Sequence, residues 1–291
     1  MVKISVNIDY NMPDRLEDFL CELETSSWSI EKANDATPPK LVGYFDNLEE
    51  AAPAYKQIRK EFKTLPENFD VEEIFDCDWQ NEYKKYLTSW QHENLHWVPV
   101  WEKEKYILPE GGKAFYFDAG LAFGTGDHPT TRLCAIRMLD FLKKTEKPES
   151  VFLIDAGCGS GILALSAKLL GVGKVYGFDK DPEAVRLSEE NAKINNVPNG
   201  GVEFSEAGID DGLKGKTCDI LLANIQADIL QIYAKELIGA VKSGGILVLS
   251  GILASENDEV KRKFLETGGA KIKSSDTAIM GEWSDIMFEI A

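Results

Sequence analysis

Asp155-Ala156-Gly157-Cys158-Gly159-Ser160-Gly161-Ile162-Leu163-Ala164-Leu165 follows the apolar run Val151-Phe152-Leu153-Ile154, and the whole reads as a strand, a tight glycine turn and a helix. Glycines at 157, 159 and 161 let the main chain approach a ligand, because no Cβ collides with it and positive φ costs little. The turn opens into a helix whose unpaired N–H groups face the same ligand. A second strand, Lys174-Val175-Tyr176-Gly177-Phe178, ends at Asp179, about 20 residues beyond the glycines, where an acid grips ribose hydroxyls. That geometry describes a nucleoside site.

Downstream the pattern alternates: helix 161–170, strand 174–179, helix 182–195, strands 201–206 and 218–223, helix 228–241, strand 245–250, helix 255–267, and strands near 270–275 and 283–290. Such alternation builds a parallel sheet covered on both faces. Met280-Gly281-Glu282 suits a hairpin that turns the last strand antiparallel, an ending typical of methyltransferase sheets. Leu221-Leu222-Ala223-Asn224-Ile225 closes the fourth strand with a polar residue at the carboxyl edge, where open α/β sheets bind ligands.

Upstream, residues 1–76 carry a β-α-β-β-α-β rhythm, the plan of a ferredoxin-like α+β domain. Val2, Ile4, Val6 and Ile8 alternate, helices are expected from Pro13 and over 48–65, with Pro53 ending a first turn or kinking it, and strands over 28–33, 40–45 and 69–75. No catalytic constellation is present there, which suggests a recognition module. Residues 77–104 form a connector in which Trp90, Trp97 and Trp101 are expected to pack. His92 and His96 sit four apart with no third ligand nearby, so no metal site is expected. The third segment, 105–291, begins with strands over 106–109 and 114–118. It continues with Gly120-Leu121-Ala122-Phe123-Gly124-Thr125-Gly126-Asp127-His128-Pro129-Thr130-Thr131, where Asp127 or His128 caps the helix from Arg132. The loop holds more glycine than capping requires, which points to function.

The chain has 291 residues, 44% hydrophobic and 28% charged, with a formal net charge of -17. That balance argues against phosphate-backbone binding, which needs clustered Lys and Arg; it either steers a basic protein partner toward the chain or only keeps the protein soluble. Five scattered cysteines without CxxC pairing fit a reducing cytoplasm. Met1 to Asp9 alternates like a strand and has no continuous apolar h-region, and no run is long enough to span a bilayer.

The glycine spacing G-x-G-x-G leaves a nicotinamide cofactor open. It lacks the third glycine of the dinucleotide fingerprint, and a pyrophosphate would meet repulsion from Asp155, a residue suited to orient the turn or to meet a cationic amino-acid group. The loop 120–131, the stretch 155–164, Ala223-Asn224-Ile225, Asp78-Trp79, Val98-Pro99-Val100-Trp101 and Leu249-Ser250-Gly251-Ile252-Leu253-Ala254-Ser255 together resemble the methyltransferases of large-subunit ribosomal protein L-eleven. The resemblance implies a class I S-adenosylmethionine-dependent methyltransferase domain behind a ferredoxin-like domain that captures the ribosomal protein. The implied products are methylated lysine ε-amines and a methylated N-terminal α-amine; a monomer is expected. By position, Thr131, Gly157, Asp179 and Asn224 are implied as cofactor contacts alongside Asp155 and Gly159, while Phe123, Thr125 and Gly126 line the pocket between cofactor and amine. Asn224 is the candidate to orient the amine and His128 the second candidate, for proton acceptance, although helix capping is its simpler role. Ile225-Gln226-Ala227-Asp228 and Ala119 depart from the family pattern. The alternatives are another protein or a small-molecule amine as substrate, an NAD-dependent oxidoreductase, and a cofactor-binding module without turnover.

Overall fold

The structure, a computed structural model, describes residues 2–9, 12, 13, 16, 19, 20, 27–31, 38–73, 87–118 and 128–291. The chain divides into two compact units, Met1–Tyr86 and Leu87–Ala291.

In the first unit, β1 (Val2–Asn7), β2 (Trp28–Glu31), β3 (Lys40–Phe45) and β4 (Asp70–Glu73) form a sheet of order β2-β3-β1-β4, and every pair is antiparallel. The alternation read at the amino terminus is the pleat of β1, since Val2, Ile4 and Val6 all enter the core. Helix α1 (Leu48–Glu61) starts at Asn47, whose side chain accepts from the Glu50 N–H, and it holds Pro53 within its second turn. It stops four residues short of the expected end. Its buried face is Ala51, Tyr55 and Ile58, the i, i+4, i+7 stripe of an amphipathic helix. Leu16 and Leu20 join the same core, and the Leu16 N–H donates to the Met12 carbonyl at 3.0 Å.

The second unit opens with a small sheet of β5 (Trp90–His92), β6 (Leu95–Pro99) and β7 (Lys113–Phe117). β5 and β6 are antiparallel, β6 and β7 parallel. The strand expected over 106–109 is absent, and Leu95–Pro99 takes its place beside β7. All five residues of β6 are buried, so the segment shows no alternation to read, while Ile107 is 90% exposed. The Trp90 and Trp97 rings stack at 3.8 Å, and Trp97 Nε1 donates to Ser166 Oγ at 2.8 Å. These tryptophans therefore pack within the second unit. His96 is buried with its Nδ1 2.8 Å from the Tyr106 hydroxyl.

The main sheet contains β8 (Phe152–Ala156), β9 (Lys174–Asp179), β10 (Glu203–Glu206), β11 (Cys218–Asn224), β12 (Val241–Leu253), β13 (Ile272–Met280) and β14 (Trp283–Ile290). Their order is β10-β9-β8-β11-β12-β14-β13. The first five are parallel neighbours, whereas β14 runs antiparallel to both β12 and β13. Helices α2 (Pro129–Lys143), α3 (Ile162–Leu169), α4 (Pro182–Ile194), α5 (Ile209–Leu213), α6 (Ala227–Ile232), α7 (Ala234–Gly239) and α8 (Asn257–Gly268) cover it. The single helix expected over 228–241 is broken at Tyr233, and the short α5 was not foreseen. The chain winds outward from β8 in one direction and resumes at β11 in the other, so the order switches between the carboxyl ends of β8 and β11.

Helix α2 is locked onto β14 by Arg137. Its Nε donates to Asp285 at 2.8 Å and its Nη2 to the other oxygen at 3.0 Å, while Nη1 reaches Asp276. Asp285 is fully buried and also accepts from the Ala278 N–H at 2.8 Å. No helix among the described residues is long and apolar enough to cross a membrane. The described cysteines, 134, 158 and 218, are buried and free.

Candidate active site

The switch point is where the glycine turn sits. Gly157, Gly159 and Gly161 all adopt positive φ, at 74°, 52° and 75°, values that side chains resist. The turn is pinned to the next strand, because the N–H groups of Gly157 and Cys158 both donate to the Phe178 carbonyl, at 2.8 and 3.0 Å. The Gly159 N–H donates to Asp179 Oδ2 at 3.0 Å, and Oδ1 of the same carboxylate accepts from the Asp181 N–H at 3.0 Å. Each oxygen keeps a further lone pair, which is what two ribose hydroxyls require.

Asp155 is 1% exposed and accepts from the Ala164 N–H at 3.1 Å, so it ties the end of β8 to the first turn of α3. Burial pushes its carboxyl up to about 7, the neighbouring Asp179 charge adds to the rise, and the Ala164 N–H opposes it.

Across the switch point, Asn224 ends β11. Its Nδ2 lies 3.4 Å from Thr131 Oγ1, on the buried first turn of α2, and its Oδ1 is buried with no hydrogen-bond partner among the described residues. A buried acceptor left unpaired is costly, and a ligand donor is the natural remedy. His128 is the N-cap of α2. Its Nδ1 meets Thr130 Oγ1 at 2.8 Å and accepts from the Thr130 N–H at 3.4 Å. The ring lies edge-on to Trp283 at 4.9 Å, and burial lowers its pKa.

Ile225 is gripped between two glycines. A Cβ on Gly157 would stand 2.5 Å from Ile225 Cγ2, and one on Gly251 would stand 2.4 Å from the Ile225 carbonyl oxygen. Gly251 has φ of 80° and lies in a bulge where the register of β12 on β14 shifts between Leu249 and Ile252. The Asn224–Ile225 segment thus owes its position to residues with no side chain. Gly157, Gly159, Asp155, Asp179, Thr131, Asn224 and His128 all belong to the carboxyl edges of β8, β9 and β11 and the start of α2. Phe123, Thr125 and Gly126 lie outside the described residues. Gly251, Ser188 and Asn191, which also touch this region, were not singled out as site residues from the sequence. The signal for the last two is polar residues on the buried stripe of α4, beside Ala184 and Leu187.

A seven-stranded sheet with β14 reversed, a glycine turn at its switch point and an acid one strand over define a class I S-adenosylmethionine-dependent methyltransferase. The glycine cradle and the Asp179 carboxylate fit that cofactor. The model of the family "Ribosomal protein L11 methyltransferase (PrmA)" matches residues 2–290, and the chain belongs to that family. A ribosomal protein L11 methyltransferase of Dictyoglomus thermophilum is 37% identical over 229 residues, 77% of this chain and 72% of that one. Its counterpart from Carboxydothermus hydrogenoformans is 36% identical over 245 residues, 82% and 76%. The crystal structure of a ribosomal protein L11 methylase from Lactobacillus delbrueckii subsp. bulgaricus is 27% identical with a TM-score of 0.58, covering 68% of this chain and 96% of that one. Family membership removes the nicotinamide-dependent reading.

Proposed function

We propose that this protein methylates ribosomal protein L11, at lysine ε-amines and the terminal α-amine, with Asn224 Oδ1 as the acceptor that orients the amine. The observation that carries this reading is the buried Oδ1 near the switch point, which has no hydrogen-bond partner among the described residues. S-adenosylmethionine supplies an electrophilic methyl carbon on a sulfonium. A lysine starts near pKa 10.4, so presenting its neutral form at pH 7.4 costs about 4 kcal/mol. A pocket closed to water reduces that cost by disfavouring the ammonium. Asn224 accepts one N–H of the neutral amine and aims its lone pair, an alignment that accounts for much of the acceleration in such transfers. In this reading Asp155 braces the turn, Asp179 holds the ribose, Thr131 holds the Asn224 amide, and His128 braces the start of α2.

The front unit is proposed as the recognition domain, set at residues 1–76 from the sequence. Residues 1–86 hold ten Lys and Arg against nineteen Asp and Glu, so they supply nine of the seventeen net negative charges in less than a third of the chain. Such a charge balance steers a basic protein, and it supports a protein partner over a nucleic acid; action as a monomer in the cytoplasm is proposed with it. The test is mass spectrometry of purified L11 after incubation with the enzyme and isotopically labelled S-adenosylmethionine. Labelled methyls on its amines are expected, and an L11 left unlabelled by an enzyme that binds the cofactor would refute the substrate.

A further inference from the structure

The inward face of α4 carries polar side chains that the transfer reaction does not use. Ser188 and Asn191 are fully buried. Ser188 Oγ donates to the Gly159 carbonyl at 2.8 Å, and Asn191 Nδ2 donates to the next carbonyl, Ser160, at 2.9 Å. The same Asn191 amide pairs with the end of β7, donating to the Asp118 carbonyl at 3.1 Å and accepting from its N–H at 3.0 Å. One turn later Asn195 does likewise two residues back, accepting from the Tyr116 N–H at 2.8 Å and donating to its carbonyl. The spacing explains the match. Four helical residues advance about 6 Å and two strand residues about 6.6 Å, so amides at i and i+4 meet alternate residues along the edge of β7 that β6 leaves open.

We infer that Ser188 and Asn191 are positioning residues for the cofactor, holding the glycine turn in its binding geometry before the ligand arrives. In a trans peptide the N–H lies opposite the C=O. Fixing the Gly159 and Ser160 carbonyls against α4 therefore sets the direction of the Ser160 N–H and of the Gly161 N–H, which closes the turn on the Cys158 carbonyl at 2.8 Å. A turn of left-handed glycines otherwise loses much conformational freedom when ordered, and ordering it in advance raises affinity. Besides Tyr116, Asn195 Nδ2 donates to the Asn191 carbonyl in its own helix at 2.8 Å, and among the described residues it makes no hydrogen bond to the turn, so it holds the small sheet without acting on the turn directly. The inference rests on the turn being the S-adenosylmethionine site.

The test is calorimetric titration of the full chain with S-adenosylmethionine alone, comparing wild type with Asn191→Asp, Ser188→Ala and Asn195→Ala. Asn191→Asp keeps the acceptor for the Asp118 N–H but turns a second acceptor on the Ser160 and Asp118 carbonyls. Asn195→Ala removes both contacts to Tyr116 and the side-chain bond to the Asn191 carbonyl, and none to the turn. Expected is a Kd raised about tenfold in Asn191→Asp and Ser188→Ala, the net scale of one buried hydrogen bond, and within about twofold of wild type in Asn195→Ala. At saturating cofactor, kcat returns toward the wild-type value, because the ligand restores the turn, whereas a merely structural loss lowers binding stoichiometry and kcat together. An unchanged Kd in folded Asn191→Asp, or an equal rise in Asn195→Ala, overturns the inference. If Asn191→Asp does not fold, an unchanged Kd in Ser188→Ala overturns it. Failure of wild type to bind at all would count against the cofactor site instead.

Discussion

Asn224 Nδ2 and Thr131 Oγ1, 3.4 Å apart, join the end of β11 to the first turn of α2 and fix which end of the Asn224 amide is spent on the protein. The other end, Oδ1, is buried with no hydrogen-bond partner among the described residues. Asn224→Ala is expected to lower kcat about a hundredfold, the scale of a misaligned reactant, and Thr131→Val about tenfold through loss of the anchor. Methyl transfer at saturating cofactor reads both effects, and wild-type turnover in Asn224→Ala would eliminate the proposed role.

Gly251→Ala puts a Cβ 2.4 Å from the Ile225 carbonyl oxygen at a φ of 80°. The backbone strain alone costs about 1–2 kcal/mol, and relief requires Ile225 and the adjoining Asn224 to shift. Turnover is expected to fall at least tenfold while thermal unfolding remains cooperative. A variant as active as wild type would show that the bulge does not set the position of Asn224.

Asp155 predicts a pH dependence of stability. Its carboxyl is pushed up to about 7 in the folded protein, chiefly by burial, and titrates near 3.9 when unfolded. Between those values the folded state holds the extra proton, so the contribution of Asp155 to stability is full below about pH 4, declines as pH rises toward 7, and levels off above it. Asp155→Asn should therefore gain on wild type by a few kcal/mol between about pH 4 and pH 8. Urea midpoints across that range without cofactor give the comparison, and a constant difference would contradict the assignment.

Arg137→Met strands the fully buried Asp285 carboxylate. Breaking such a pair from one side costs about 3–5 kcal/mol, and the start of α2, which carries Thr131 and His128, loses its tie to β14. Adding Asp285→Asn to Arg137→Met should recover part of the loss, since no buried charge then remains. Denaturant melts of the single and double variants measure this, and additive losses would argue against the pairing as the cause.

The glycine turn, the reversed final hairpin and the acid at Asp179 were legible because each depends on local spacing: positive φ demands glycine, and strand-helix alternation shows in the apolar period. β6 was not legible, because Leu95–Pro99 is buried throughout and so lacks the two-residue period that marks a strand. Leu95 and Lys113 become ladder partners only once the chain has folded. The break at Tyr233 and the roles of Gly251 and Asn191 were hidden for the same reason, since each is decided by a neighbour distant in sequence. Ser188 and Asn191 did leave a trace, as polar residues where the period of α4 calls for apolar ones.

The place of β14 bears on how the molecule is made. It is the last-synthesised of the seven strands, yet it lies between β12 and β13, and Asp285, the anchor of α2, is carried on it. A nascent chain emerging amino terminus first can complete the glycine turn on β8 and β9 early, while α2 waits for its anchor. The two halves of the cleft thus draw on strands made at different times, and the one that anchors α2 is the last of the seven.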